Sequence, residues 1–474
     1  MQVDKKSINR RFMRLLLVFL AASWVLNAQQ SEIKSIVNFT LEEAQNYALE
    51  HAYDIKSANF DIQAARKQVW ETTANGLPQI NATAGYSDAL DIATQLFPDF
   101  ITPAVYDINE NKFGLTPDVP LPETEFFPVK FGQQFTGTAG LTVTQLLFDG
   151  TYIVGTQASR VFLQLSKDQQ EKTKIEIKDL VASAYYAVLV AEKNYDILKQ
   201  SLESNKKILH EVQSYYENGF REETDALQLQ LLVNSSENQL ADAKRLIENS
   251  KLLLKFVIGM DVDQPIKLTE SLDKFIAAAM IEQVSVGNTT PNDHIDYKLL
   301  ETQLKAQSLL LRSEKAKFLP SISAYYNYGK TAYGNEWNLF DGDDWFESST
   351  IGLQVSMPIF TFGKQMARVS RQRILTDKLK NQLYQVEQNL KRERAEAYNN
   401  LLNAQEKFMN DKQGLELAKT IYDRTIIKFN EGVVNSTELS QNEQQYLQSL
   451  GTYIGSTLNL LNSKKLYLKV IGRL

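Results

Sequence analysis

The chain repeats itself at a fixed offset of 213 positions. The run YYENGFREETDAL, followed later by VIG, is answered by IKFNEGVVNSTEL and a second VIG. Gly219 thereby aligns with Gly432, Thr224 with Thr437, and Ile258 and Gly259 with Ile471 and Gly472. Register kept over about forty residues marks an internal duplication, and duplication constrains architecture more than any single motif does. Upstream, GLPQINATAGYS at 76–87 recurs as FLPSISAYYNYG at 318–329, and AGLTVTQLLFDG recurs as IGLQVSMPIFTFG. Each half reads helix, strand, strand, long helix, turn, helix. The expected organisation is a first repeat over 29–260, a linker or equatorial region over 261–290, and a second repeat over 291–474.

Four segments alternate with the two-residue period of a strand: 79–87, 135–148, 321–329 and 350–360. In the second, Phe135, Ala139, Leu141 and Val143 oppose Thr136, Thr138, Thr142 and Thr144. In the fourth, Ile351, Leu353, Val355, Met357 and Ile359 oppose Thr350, Gln354 and Ser356. One apolar and one small-polar face suits a half-buried soluble sheet or a lipid-facing barrel wall. The connections favour the barrel. Residues 88–134 form a long link holding six of the chain's eleven prolines, and 331–349 is acidic and aromatic, with Trp337, Phe340, Asp343, Asp344 and Trp345. Four strands cannot close a barrel, which needs about eight. Open edges are not tolerated in lipid, so several chains must contribute, and three would give about twelve strands.

The segment 152–218 lacks proline and, after Gly155, glycine, so it can run as one helix of roughly 100 Å. Its counterpart covers 364–430. The first carries a seam at Ile177, Val181, Ala184, Val188, Ala191, Tyr195, Leu198, Leu202, Asn205, Leu209, Val212 and Tyr216, with steps alternating four and three. That spacing is coiled-coil packing. The second repeats it with one slip, through Leu379, Leu383, Val386, Leu390, Ala397, Leu401, Ala404, Phe408, Leu415, Ala418, Tyr422 and Phe429. Shorter helices return over 224–258 and 437–471. Further helices at 41–76 and 296–318 can stack end to end with them to make up the length.

Between the helices lie two tips, 217–225 and 430–438. Gly219 and Gly432 can take the left-handed conformation that ends a helix. Asn435 offers an N-cap, with Glu438 three residues on as in a capping box.

The N-terminus reads as an export signal over 1–28: Lys5, Lys6, Arg10, Arg11 and Arg14 precede an apolar run over 15–26, with cleavage expected after Ala28. That run is too short for a spanning helix, and no later stretch approaches one. Cysteine is absent, which leaves no disulfide framework, no zinc cluster and no lipid-accepting cysteine. A net charge of −6 with both signs interspersed offers no basic stripe for nucleic acid.

The tips NGFREETDAL and EGVVNSTEL, the Gly-x-x-x-x-Thr-[Asp/Glu] spacing in both, the closing Ile-Gly pairs and the duplicated strand-and-hairpin units together resemble the TolC-like outer membrane efflux proteins. The resemblance covers nearly the whole chain after the signal. It implies an α+β membrane protein and a homotrimer, in which a 12-stranded β-barrel with four strands per chain continues into a long periplasmic α-helical coiled-coil barrel. It implies a Gram-negative outer membrane location and a passive exit duct for efflux or type I secretion, without cofactors. A periplasmic adaptor and an inner-membrane transporter are the implied partners. Adaptor docking maps to Gly219, Thr224, Asp225, Gly432, Asn435 and Thr437. In well-known members of that family the inner helix pair closes the duct with a tyrosine just before the tip glycine and two aspartates after it, three residues apart. Those positions read Phe429, Glu438 and Gln441 here, so the tyrosine hydroxyl and one charge are missing. Glu438 fits both a carboxylate ring and the helix cap, with the cap favoured.

No phosphate loop, nucleophile elbow or metal-spaced set among His51, His210 and His294 points to an enzyme. An exported coiled-coil scaffold without channel activity is the alternative, and it leaves the four amphipathic strands without a purpose.

Overall fold

A computed structural model describes residues 36–115, 126–130, 132–281, 291–336 and 345–473. The export signal and the middle of the 331–349 connection, residues 337–344 with Trp337, Phe340, Asp343 and Asp344, lie outside the described residues. In chain order the elements are β1 (Val37–Phe39), α1 (Leu41–His51), α2 (Tyr53–Ala74), β2 (Gln79–Asp88), β3 (Thr94–Pro98), α3 (Ile101–Phe113), β4 (Phe126–Lys130), β5 (Phe135–Phe148), α4 (Gly150–Glu217) and α5 (Glu223–Val257). They continue with β6 (Ile266–Leu268), α6 (Leu272–Ile281), a short 3-10 turn, α7 (Ile295–Ala316), β7 (Ser321–Gly334), β8 (Trp345–Ser356), α8 (Lys364–Asn430) and α9 (Ser436–Val470). They fall into two compact units, one of Asp61–Lys167 with Leu299–Leu383 and the other made of the rest. Each sequence repeat supplies strands to the first unit and a hairpin to the second.

In the strand-bearing unit, one antiparallel sheet runs in the order β2-β5-β7-β8. The two halves of the duplication meet at β5 and β7, where Val143 sits opposite Tyr326 and Gly140 opposite Gly329. Ile80, Val143, Tyr326 and Ile351 form one row across all four strands, and Asn81, Thr142, Asn327 and Thr350 form the neighbouring row on the other face. The alternation therefore survives as two chemically distinct faces. Its apolar face is open: Ile351, Leu353 and Val355 are 81%, 70% and 64% exposed. Within this sheet β2 and β8 each have a neighbour on one side only.

Two strand boundaries move from their expected places. The fourth strand begins at Trp345 and stops at Ser356, so Met357 and Ile359 lie beyond it. Pro358 has no N–H to give a ladder, which ends the pairing there. The link 88–134 is not plain loop either: β3 and β4 pair as a small hairpin around the helix α3.

In the helical unit, β1 and β6 pair in parallel and close one end of a core that includes Val181, Tyr185, Val188, Leu254, Leu401, Leu460 and Tyr467. The segment 261–290 thus holds a strand and a helix through Ile281. Thr40 and Glu43 form a full capping box on α1, and Glu270 accepts a hydrogen bond from the Leu41 amide at 2.7 Å. The helix expected over 41–76 is broken at Ala52, whose backbone is extended with ψ 141°. The break lies where α5 ends: a side chain at Gly259 would come within 2.3 Å of the His51 carbonyl oxygen and 2.8 Å of Ala52 Cα. Tyr53 and Phe256 rings meet across the same junction at 6.0 Å. In the first repeat, the end-to-end stacking expected from the sequence thus takes the form of a close backbone crossing.

The seams behave as coiled-coil cores except at the tip end of α4, where the expected seam residue Tyr216 is exposed. Along α4, Ile177, Val181, Ala184, Val188, Ala191, Leu202, Asn205 and Val212 are buried, and along α8, Leu390, Ala397, Leu401, Ala404, Phe408, Ala418, Tyr422 and Phe429 are. Burial at a spacing of 3.5 residues is what knobs-into-holes packing requires.

Candidate functional site

Both tips are built by the same backbone device. Gly219 and Gly432 each have φ +76°. After Gly219, the Phe220 amide reaches back to the Tyr215 carbonyl at 2.8 Å; after Gly432, the Val433 amide reaches the Lys428 carbonyl at 2.8 Å. Paired with the bonds from Gly219 to Tyr216 and from Gly432 to Phe429, these satisfy the last carbonyls of α4 and α8 in a Schellman motif. The motif places Phe220 and Val433 at equivalent positions, 78% and 71% exposed. Such apolar side chains left in water at both tips are a surface a partner can cover.

The entries to α5 and α9 differ. Asn435 caps α9, its side-chain oxygen accepting from the Glu438 amide at 2.9 Å, while the Glu438 side chain stays exposed. On α5 the N-cap is Glu222, which makes no side-chain cap bond; the Thr224 hydroxyl instead donates to the Glu222 carboxylate at 3.2 Å.

The two tips are tied together. The Gln228 amide donates to the Thr437 hydroxyl at 3.1 Å, and the Ser436 hydroxyl donates to the Gln228 oxygen. Arg221 donates to the Phe429 carbonyl, lies 4.6 Å from the centroid of its ring, and keeps a 3.7 Å ion pair with Asp225. Between the tips lies an open groove of about 400 Å³, lined by Glu222, Thr224, Asp225, Leu227, Gln228, Leu231, Asn435, Ser436 and Thr437. Four of the six expected docking residues, Thr224, Asp225, Asn435 and Thr437, line it. Leu227 and Leu231, 58% and 69% exposed, supply its apolar floor.

The three expected gate positions separate. Glu438 and Gln441 are exposed, whereas Phe429 is fully buried in a cluster with Ile208, Val212, Leu229, Leu439 and Tyr446. The sequence reading missed Arg221, Gln228 and Ser436, whose partners lie 208 or 209 residues away along the chain. The one available signal was an arginine inside the first tip motif.

Among the described residues no group of side chains could hold a metal ion, and no helix is long and apolar enough to cross a membrane.

The chain is similar to several known proteins. The chain is 22% identical over 238 residues to the alkaline protease secretion protein AprF of Pseudomonas aeruginosa, covering 48% of this chain and 47% of that one. It is 24% identical over 325 residues to the solvent efflux pump outer membrane protein SrpC of Pseudomonas putida, covering 66% and 67%. The match to AprF thus spans about half of that relative's length. The fold matches the outer membrane protein VceC of Vibrio cholerae with a TM-score of 0.64 at 15% identity, covering 91% of this chain and 96% of that one. The strand-and-hairpin fold is therefore that of the outer membrane channels. Matched over residues 45–260 and 299–468 by the model of the outer membrane efflux protein family, the chain belongs to that family, a transport duct of the outer membrane and not an enzyme.

Proposed function

We propose that the chain is the exit duct of a tripartite efflux or type I secretion system. Three copies close a twelve-stranded barrel, a periplasmic adaptor docks on the tips, and an inner-membrane transporter supplies cargo and energy. One observation carries this reading: a four-stranded sheet with an exposed apolar face, whose outer strands β2 and β8 pair on one side only among the described residues. Lipid covers the face, but it cannot satisfy the edge N–H and C=O groups. Further copies of the same sheet can satisfy them, β8 of one against β2 of the next. Residues 1–28 direct export. The secretion and solvent-efflux roles in the relatives' names both fit a passive duct whose cargo is chosen by its transporter.

Docking falls to Gly219, Thr224, Asp225, Gly432, Asn435 and Thr437, with the groove and the exposed Phe220 and Val433 as its contact surface. Glu438, whose backbone serves the α9 cap, and Gln441 are the candidate aperture side chains, with Phe429 buried behind them in the helical core. The chain has no cysteine, so a single Asn435→Cys variant carrying a photo-crosslinker reports from one tip only. Capture of a periplasmic adaptor in cells is expected, identified by mass spectrometry together with its transporter. Capture of further copies of the chain alone would overturn docking at this tip.

A further inference from the structure

A few turns from the tips of the two hairpins, one carboxyl sits where a coiled coil places apolar residues. The seam of α9 runs Leu439, Glu443, Tyr446, Leu450, and all four side chains are buried, Glu443 completely. The side chains around it come from all four long helices. From α4, the Ser201 hydroxyl donates to Glu443 Oε1 at 3.3 Å, and the Asn205 amide donates to the same oxygen. The other amide hydrogen of Asn205 goes to Ser236 Oγ of α5 at 3.0 Å. From α8, the Tyr422 hydroxyl donates to Asn205 Oδ1 at 2.6 Å, and its ring stacks on Tyr446 of α9, 5.7 Å between centroids. Asn205 is thereby saturated: both amide hydrogens and its oxygen are engaged.

Glu443 is not saturated. Its Oε2 is buried without a hydrogen-bond partner. The titratable groups facing it are Tyr422 and Tyr446, with the Asp423 carboxylate acting on both tyrosines; α4 and α5 contribute only the neutral Ser201, Asn205 and Ser236. Among the described residues it forms no ion pair with a lysine or arginine. An ionised carboxylate there would be a buried charge without a counter-charge, so taking up a proton is the low-energy course.

We propose that Glu443 is a proton-operated fastener of the four-helix junction: protonated, it lets the hairpins pack tightly, and ionised, it forces the junction to admit water and loosen. Burial pushes its carboxyl up to about 7, against the opposing pull of the Asn205 and Ser201 hydrogen bonds. The folded protein holds this proton more tightly than the unfolded chain does. The stabilisation is therefore complete below the ordinary glutamate range and is lost as pH rises through about 7. The coupling of this fastener to conduction rests on the duct reading; the fastener itself does not.

The test is thermal melting of the purified full-length trimer from about pH 5 to about pH 9, in wild type, Glu443→Gln and Asn205→Ala. The wild-type melting temperature should fall with a midpoint near the carboxyl's raised value. Glu443→Gln, isosteric with the protonated side chain, should hold the acid-side value across the range. Asn205→Ala removes a bond that favours the ionised form, so its midpoint should move to higher pH. A Glu443→Gln protein that keeps the wild-type slope would overturn the proposal. Should that variant fail to fold, an unmoved midpoint in Asn205→Ala would do the same. Conductance in planar bilayers should rise over the same window in wild type and stay low in Glu443→Gln. A protein that conducts at no pH would sink the duct reading alone, with the melting profiles still deciding the fastener.

Discussion

Arg221, from the tip between the first two long helices, lies 4.6 Å from the ring centroid of Phe429, at the end of the third, and donates to its carbonyl. On the proposed gate reading, Phe429 would stand where a tyrosine could supply a hydroxyl. Phenylalanine offers none, but its ring face receives a guanidinium that is also paired with Asp225. The two hairpins are thus joined at their ends by a bond that needs no hydroxyl.

Arg221→Ala should destabilise the folded protein by about 1–2 kcal/mol, since it removes a partly desolvated cation–π contact and a charged hydrogen bond. Phe429→Ala should cost about 3–5 kcal/mol through the cavity it leaves. Denaturant melts of both singles and the double check the link: a coupling indistinguishable from zero would mean that Arg221 and Phe429 act separately.

Glycine substitutions should divide by sign. Gly219→Ala and Gly432→Ala force an alanine into the left-handed region and should lower stability by about 1 kcal/mol each. Gly414 lies inside α8 with open space around its would-be Cβ, so Gly414→Ala should raise stability by about 0.5–1 kcal/mol. Melting temperatures shifting in one direction for all three would contradict the assigned backbone conformations.

At the entry to α9, cap and aperture can be told apart. The cap bond uses the Asn435 side chain and only the backbone of Glu438. Asn435→Ala should therefore cost about 0.5–2 kcal/mol, whereas Glu438→Ala should cost at most about 1 kcal/mol through the helix dipole. If Glu438 faces the aperture, its alanine variant should also raise leak conductance. Unchanged conductance would leave Glu438 outside the gate.

Leu353→Lys and Val355→Lys place a charge on the apolar face and should impair insertion by about 2–4 kcal/mol near the bilayer centre. Thr350→Lys, on the opposite face, serves as the control. Equal insertion of all three, measured as heat-resistant assembly in membrane fractions, would mean that the faces are assigned the wrong way round.

The features legible in the sequence are those set by local chemistry. The long helix expected over 152–218 runs Gly150–Glu217, and the return expected over 224–258 runs Glu223–Val257, because glycine, caps and seam spacing act within a few residues. The seam even included Asn205, a polar residue at a core position, which was the visible trace of the buried junction. Its partner Glu443 is 238 residues away, and no local pattern connects the two. The same holds for Arg221 and Phe429. The break at Ala52 was equally hidden, since it arises where a distant glycine crosses the backbone rather than from proline or glycine in 41–76. The end of β8, by contrast, is written locally: Pro358 interrupts the alternating run, and its missing N–H stops the ladder although Ile359 keeps the apolar period.

The duplication gave both tips the same backbone turn but different side chains: Phe220 and Arg221 on one, Val433 and Val434 on the other. A partner gripping only the shared turn and its exposed apolar residue would find two equivalent footholds per chain, whereas one that reads the guanidinium would find one. In the proposed ring of three chains that difference would become a stoichiometry, six footholds for a partner that needs only the turn against three for one that needs Arg221.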